Sequence, residues 1–111
     1  MIAVYSDREF KIWDYRVSHG SLLIRSPKGT GISRNVDLVF VGVDYMALPS
    51  RLHGAMLSFG TVEDRMTVTA LIGDSYAGQV YVLVSEECRH FVVAAACQVD
   101  ENDKDIFDTL F

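Results

Sequence analysis

The sequence predicts a single, mainly β domain: an antiparallel roll, barrel or sandwich of seven to eight strands with a short C-terminal helix, and an α+β arrangement as the alternative. Three observations predict it. Short β-branched or aromatic runs recur along the chain, each followed by a turn signal. Helix-period patterning is nearly absent before the last ten residues, so no crossover helices exist to connect a parallel sheet. The length of 111 residues, 50% hydrophobic and 23% charged, fits one globular domain over residues 1–111. A chain of this size buries roughly 65% of its unfolded surface, enough to fold without a disulfide or metal.

Residues 2–5 read as a first strand. From Phe10 to Val17 the chain alternates, with Phe10 and Ile12 pointing one way and Trp13, Tyr15 and Val17 the other. Ser18-His19-Gly20-Ser21 turns the chain into Leu22–Ser26, completing a hairpin. Pro27–Gly31 is a loop. Val36–Leu48 is the strongest strand; it is apolar on both faces, which places it centrally, and Asp44 and Pro49 mark its end. Residues 50–60 stay open, because Ser50 can cap a single helical turn through Leu52 and His53 before Gly54. Met66–Ile72 reads as a half-buried strand with its threonines on the wet face. Gly73–Gly78 is a turn. Val80, Val82 and Val84 form one face of the next strand, Glu86–Arg89 turns it, and His90–Val99 returns beside it; the alanines at 94–96 also permit a helix over 91–97. Asp103 can cap a terminal helix that places Ile106, Phe107, Leu110 and Phe111 on one face.

Ten basic and fifteen acidic residues give a net charge of −5. Most of it sits in residues 100–111, with five acids and one base. The chain lacks the lysine/arginine cluster that displaces counterions from phosphates, which argues against nucleic acid as a partner. Cys88 and Cys97 lie nine residues apart. On one extended segment that is up to roughly 30 Å, too far for a disulfide without an intervening turn. Two free thiols fit a reducing compartment. Asp7, Arg8 and Glu9 interrupt any signal-peptide h-region, and no apolar run approaches the 18 or so residues that span a bilayer. A cytoplasmic protein with no membrane contact is the expectation.

Each motif with catalytic potential has a structural counterpart. Lys28-Gly29-Thr30-Gly31 with Arg34 resembles a phosphate loop, but its lysine precedes the glycines, so it reads as a hairpin loop. Asp100-Glu101-Asn102-Asp103-Lys104-Asp105 lacks the glycine and the fifth-position oxygen ligand of a calcium loop, and suits a solvated helix cap. His19, His53 and His90 have no metal-ligand spacing, so neither a metal nor another cofactor is expected. Cys88 and His90 share a strand face and form a conceivable nucleophile pair. Gly73-Asp74-Ser75-Tyr76-Ala77-Gly78 resembles the nucleophile block of the GDSL esterase family, with Ser75 in the nucleophile's place and Glu87-x-x-His90 where the acid–base block belongs. The likeness covers six residues; the oxyanion blocks and the parallel sheet of that family are missing, and a Gly/Asp/Ser turn accounts for the segment.

Trp13, Tyr15 and Tyr45 can belong to one sheet face. Left open, they form an aromatic patch of the kind that marks interfaces; covered, they are core. The strings Trp13-x-Tyr15-x-x-Ser18-His19-x-x-Leu22-Leu23-x-Arg25-Ser26 and Asp37-x-Val39-Phe40-x-Gly42-Val43-x-Tyr45-x-x-Leu48-Pro49 resemble small uncharacterised bacterial proteins, some grouped with immunity proteins of toxin systems. The resemblance implies a cytosolic protein that binds and blocks a partner without catalytic residues.

The expected function is therefore protein–protein contact without enzymatic activity. The expected interface comprises Trp13, Tyr15, Tyr45, Asp100, Glu101, Asp103, Asp105, Phe107 and Phe111. The acidic tail favours a basic partner by electrostatic steering, and a homodimer is the other partner considered. Two alternatives come from other classes: a small hydrolase using Ser75 or Cys88 with His90, and a β-barrel carrying a small ligand.

Overall fold

The computed structural model describes residues 1–105. Eight antiparallel strands form one sheet: β1 (Ala3–Arg16), β2 (Ser21–Ser26), β3 (Asn35–Val41), β4 (Tyr45–Ala47), β5 (Arg51–Phe59), β6 (Gln79–Ser85), β7 (Cys88–Ala94) and β8 (Ala96–Asn102). Among the described residues a single helix, α1 (Val62–Ile72), follows β5. The spatial order is β4-β7-β6-β5-β1-β2-β3-β8. The mainly β, antiparallel expectation is met. The expected C-terminal helix falls on residues 106–111, outside the described residues.

The sheet is not closed, yet its two outermost strands are continuations of inner ones. β4 prolongs β3 beyond Gly42–Asp44, and β8 prolongs β7 beyond Ala95. The Ala95 N–H donates to the carbonyls of Val41 and Gly42, and the Asp44 N–H to that of Val93, so both breaks meet at one corner. The sheet thus folds over on itself. Its inner face buries Phe10, Leu22, Ile24, Leu38, Phe40, Leu57, Tyr81, Leu83 and Val92 in one cluster. Phe40 and Tyr81 meet edge to face with centroids 5.6 Å apart, a favoured aromatic geometry.

Several elements differ from the sequence expectation. Residues 3–5 and 10–16 belong to one strand, because the register against β5 shifts between Tyr5 and Glu9 and the chain carries the irregularity without leaving the sheet. Gly54 stands opposite with φ +71°, and a Cβ there would meet the Ser6 carbonyl oxygen at 2.9 Å. Residues 51–59 are therefore strand; no helical turn forms after Ser50. The run 36–48 splits into β3 and β4, and the run 90–99 splits into β7 and β8 with no helix at the alanines. β3 is buried up to Phe40 on both faces, but it lies second from the sheet edge, between β2 and β8, and β4 is itself an edge strand, so the run 36–48 is not central; the outer face of β3 is filled by Asn35 and Asp37 as well as Val39.

The clearest correction is Met66–Ile72, which is helix rather than strand. Local caps outweigh its β-branched composition. Gly60 ends β5; the Thr61 hydroxyl accepts from the Asp64 N–H while the Asp64 carboxylate accepts from the Thr61 N–H. That reciprocal capping box fixes the N-terminus. Gly73, at φ +81°, donates its N–H to the Thr69 carbonyl and stops the helix.

Candidate functional site

Helix α1 lies against the outer face of β6 and β7, and two residues one turn apart hold it there. Val68 is fully buried against Val80 and Val93, ringed by Tyr45, Tyr76 and Phe91. Asp64 accepts from Arg89 Nε at 2.9 Å and Nη2 at 2.6 Å. The Arg89 bonds hold the Asp64 carboxyl below its ordinary value; burial opposes them, and the Thr61 bonds add to the lowering.

At 100° per residue, Val62, Met66 and Ala70 occupy the side of α1 opposite Asp64 and Val68. That outward side is apolar where a surface helix is normally polar. Val62 is 58% exposed and Met66 67%. Val62, Arg65, Met66, Thr69 and Ala70 line an open cavity of about 450 Å³. The sequence carried this signal in the Thr61-x-x-Asp64 capping box, which a strand reading of 66–72 hides.

The outer face of β2, β3 and β8 is different in kind. Arg25 and Asp37 are cross-strand partners with no exposed side-chain surface. Arg25 donates to the Asp37 carboxylate from Nε at 2.7 Å and Nη2 at 3.0 Å. Asn102 donates to the same carboxylate at 2.8 Å, and to Asp100 at 2.8 Å; Asn35 in turn donates to Asn102. The Trp13 ring lies 5.5 Å from the Arg25 guanidinium, within cation–π range. A buried charge that is paired and satisfied in this way is architecture.

The structure does not bring the expected aromatic patch together. The register against β2 shifts between Ile12 and Asp14, and the extra residue breaks the alternation that placed Trp13 and Tyr15 on one face. Trp13 packs over Arg25 on the outer face. Tyr15 pairs with Leu22, whose side chain is in the inner core, and is 37% exposed at the end of the sheet. Tyr45 is elsewhere again, packed against the cluster under α1. The acidic residues divide as well. Asp100 belongs to the buried network, whereas Glu101 faces the other way and accepts from the Tyr5 hydroxyl at 3.3 Å. Asp103 and Asp105 are exposed at the surface, and Phe107 and Phe111 lie outside the described residues.

Ser75 and His90 are not brought into one site, whereas Cys88 and His90 stand two residues apart on β7, on one face of the strand. Ser75 lines an open cavity of about 360 Å³ with Asp44, Tyr45, Ile72 and Tyr76. Tyr45 pairs with Val93 on β7. His90 is three residues further along that strand, about 10 Å, and side-chain alternation turns it to the opposite face. Cys88 is exposed and Cys97 half-buried, and both are free. Burial pushes the Cys97 thiol up to about 12, which suits a packed side chain and not a nucleophile. Among the described residues, no group of three or more His, Cys, Asp or Glu side chains is placed to hold a metal ion. The inner face of the sheet is filled by its own side chains, with Phe10, Leu22 and Phe40 fully buried. None of the described helices is long and apolar enough to cross a membrane.

No family model, curated protein or solved structure matches the chain.

Proposed function

We propose that this chain is a non-catalytic protein-interaction module that binds and blocks a basic partner protein in the cytoplasm, in line with its resemblance to small uncharacterised bacterial proteins, some grouped with immunity proteins of toxin systems. One observation carries the reading: the outward side of α1 presents Val62, Met66 and Ala70 to solvent on a helix that is otherwise firmly capped and anchored. Apolar residues grouped in this way on a polar-rimmed surface mark a protein contact. The net charge of −5, with Glu101, Asp103 and Asp105 exposed, steers a basic partner toward the domain. The interface is thus centred on α1, with the acidic end of β8 contributing to encounter.

The test is a tagged pull-down from the native host, run in parallel with the wild-type chain and Met66→Asp. Met66 is two-thirds exposed, so the substitution leaves the core untouched. Retention of one stoichiometric basic protein by the wild type, and its loss with Met66→Asp, is the expected result. Equal retention by both proteins refutes the role of α1, and light scattering on the purified chain shows whether the captured protein is a second copy.

A further inference from the structure

We propose that the open cavity at the C-terminal end of α1 binds a primary alkylammonium group. The cavity, about 360 Å³, is lined by Asp44, Tyr45, Ile72, Ser75 and Tyr76. These residues come from the β3–β4 connection, β4, the end of α1 and the loop beyond it, so no single motif encodes them. Its volume lies within the range of about 300–1,000 Å³ usual for small-ligand pockets.

The lining has the chemistry of a cation site. Among the described residues that line it, the only charged one is Asp44, and no described residue gives the Asp44 carboxylate a hydrogen bond or ion pair. Two half-buried tyrosines flank it. The Tyr76 hydroxyl is tied to Thr69 Oγ1 on α1 at 3.0 Å, and both tyrosines pack against the Val68–Val80–Val93 cluster. Their rings are therefore placed before any ligand arrives, and aromatic rings attract cations through their quadrupole. The Ser75 and Tyr45 hydroxyls also have no side-chain partner among the described residues. With Asp44 they supply three acceptors, the number of N–H donors on a primary ammonium. Ile72, 36% exposed, gives the methylene stem an apolar wall. An anion meets only a carboxylate here and finds no cation among the lining residues.

Such a group reaches the cavity either as a lysine side chain of a partner or as a free amine. The lysine source rests on the proposed basic partner, whereas the cavity's chemistry does not. The test is an amide-resolved NMR titration of the intact chain at constant ionic strength. The probes are n-butylammonium chloride, N-acetyl-lysine methylamide and n-butanol. Saturable shifts confined to residues 44–45 and 72–76 with both amines, and none with n-butanol, are expected. Asp44→Asn should weaken amine binding about tenfold, the usual loss when a charge-assisted hydrogen bond is removed. Asp44 is exposed and its backbone N–H bond to Val93 is kept, so the variant folds. Tighter binding of the lysine derivative than of butylammonium assigns the site to a lysine side chain, and equal binding to a free amine. Absence of saturable shifts up to about 100 mM, where even a millimolar site fills, overturns the proposal. So does an equal response to n-butanol, or indifference to Asp44→Asn. Met66→Asp should leave amine binding unchanged, so failure of the α1 interface and failure of this site are told apart.

Discussion

Replacing Asp37 tests whether the buried polar network holds β2, β3 and β8 together. Asp37 and Arg25 have no exposed side-chain surface, and the carboxylate accepts two bonds from Arg25 and one from Asn102. Asp37→Ala strips the guanidinium of this counter-charge inside the protein and leaves the Asn102 amide without one acceptor. Breaking a buried pair by removing one partner costs about 3–5 kcal/mol. Native domains hold only about 5–15 kcal/mol in total, so the variant should lose about a fifth or more of its stability. Asp37→Asn keeps an acceptor and loses only the charge, and should fall between the two. Arg25→Met combined with Asp37→Leu removes both charges and keeps the volume; it should be less damaging than the sum of the single changes, because neither charge is then stranded. Urea denaturation followed by tryptophan fluorescence reads each difference, Trp13 reporting from beside Arg25. A loss of less than about 1 kcal/mol for Asp37→Ala, the size seen for exposed pairs, or strict additivity in the cycle, would refute the reasoning.

Other substitutions probe the helix, the turn and the thiols. Val68→Ala removes two methyl groups at the only fully buried position of α1 and should cost about 2 kcal/mol in denaturation at roughly 0.8 kcal/mol per buried methylene plus a cavity term; an unchanged midpoint would mean the helix is not seated by this residue. Because Arg89 lowers the Asp64 carboxyl, the contribution of that group is present above the unfolded carboxylate value near 3.9 and is lost as pH falls through the lower folded value. The Tm difference between wild type and Asp64→Asn should thus be open at pH 7 and narrow below about pH 4, and a pH-independent gap contradicts this. Glu86 and Glu87 both adopt positive φ, 51° and 65°, at the β6–β7 turn, where Asn-Gly is preferred. Glu86→Asn with Glu87→Gly should raise stability by about 1–2 kcal/mol; a lower denaturation midpoint counts against strain at this turn. A thiol reagent at neutral pH should modify exposed Cys88 readily and Cys97 only on unfolding, as peptide mapping will show.

The strand content was legible because the apolar runs at 22–26, 36–41, 80–84 and 91–94 need a two-faced or sheet environment whatever their partners. The hairpin at 18–21 was legible for a local reason, its turn chemistry. Helix α1 was missed because Met66–Ile72 carries threonine, valine and isoleucine, and the decision lies in Thr61, Asp64 and Gly73 at its ends. The separation of Trp13 from Tyr15 depends on one inserted residue opposite β2, which the alternating pattern does not reveal. The cavity around Asp44 draws on segments 27 positions apart in sequence (Asp44–Tyr45 and Ile72–Tyr76), and only the fold brings them together.

The pairing of β3 with β8 also sets an order of assembly. Asn35 and Asn102, hydrogen-bonded in the finished fold, are 67 residues apart in the chain. The hairpin of β1 and β2 and its neighbour β3 can form early from local contacts, but the far side of β3 stays unpaired until β8 arrives. Long-range pairing of this kind slows folding. During that interval Asp37 has Arg25 and lacks Asn102, and a sticky strand edge is exposed. Fusions or insertions that delay β8 should therefore lengthen the interval in which the chain is vulnerable to aggregation, even when they leave every contact of the final structure intact.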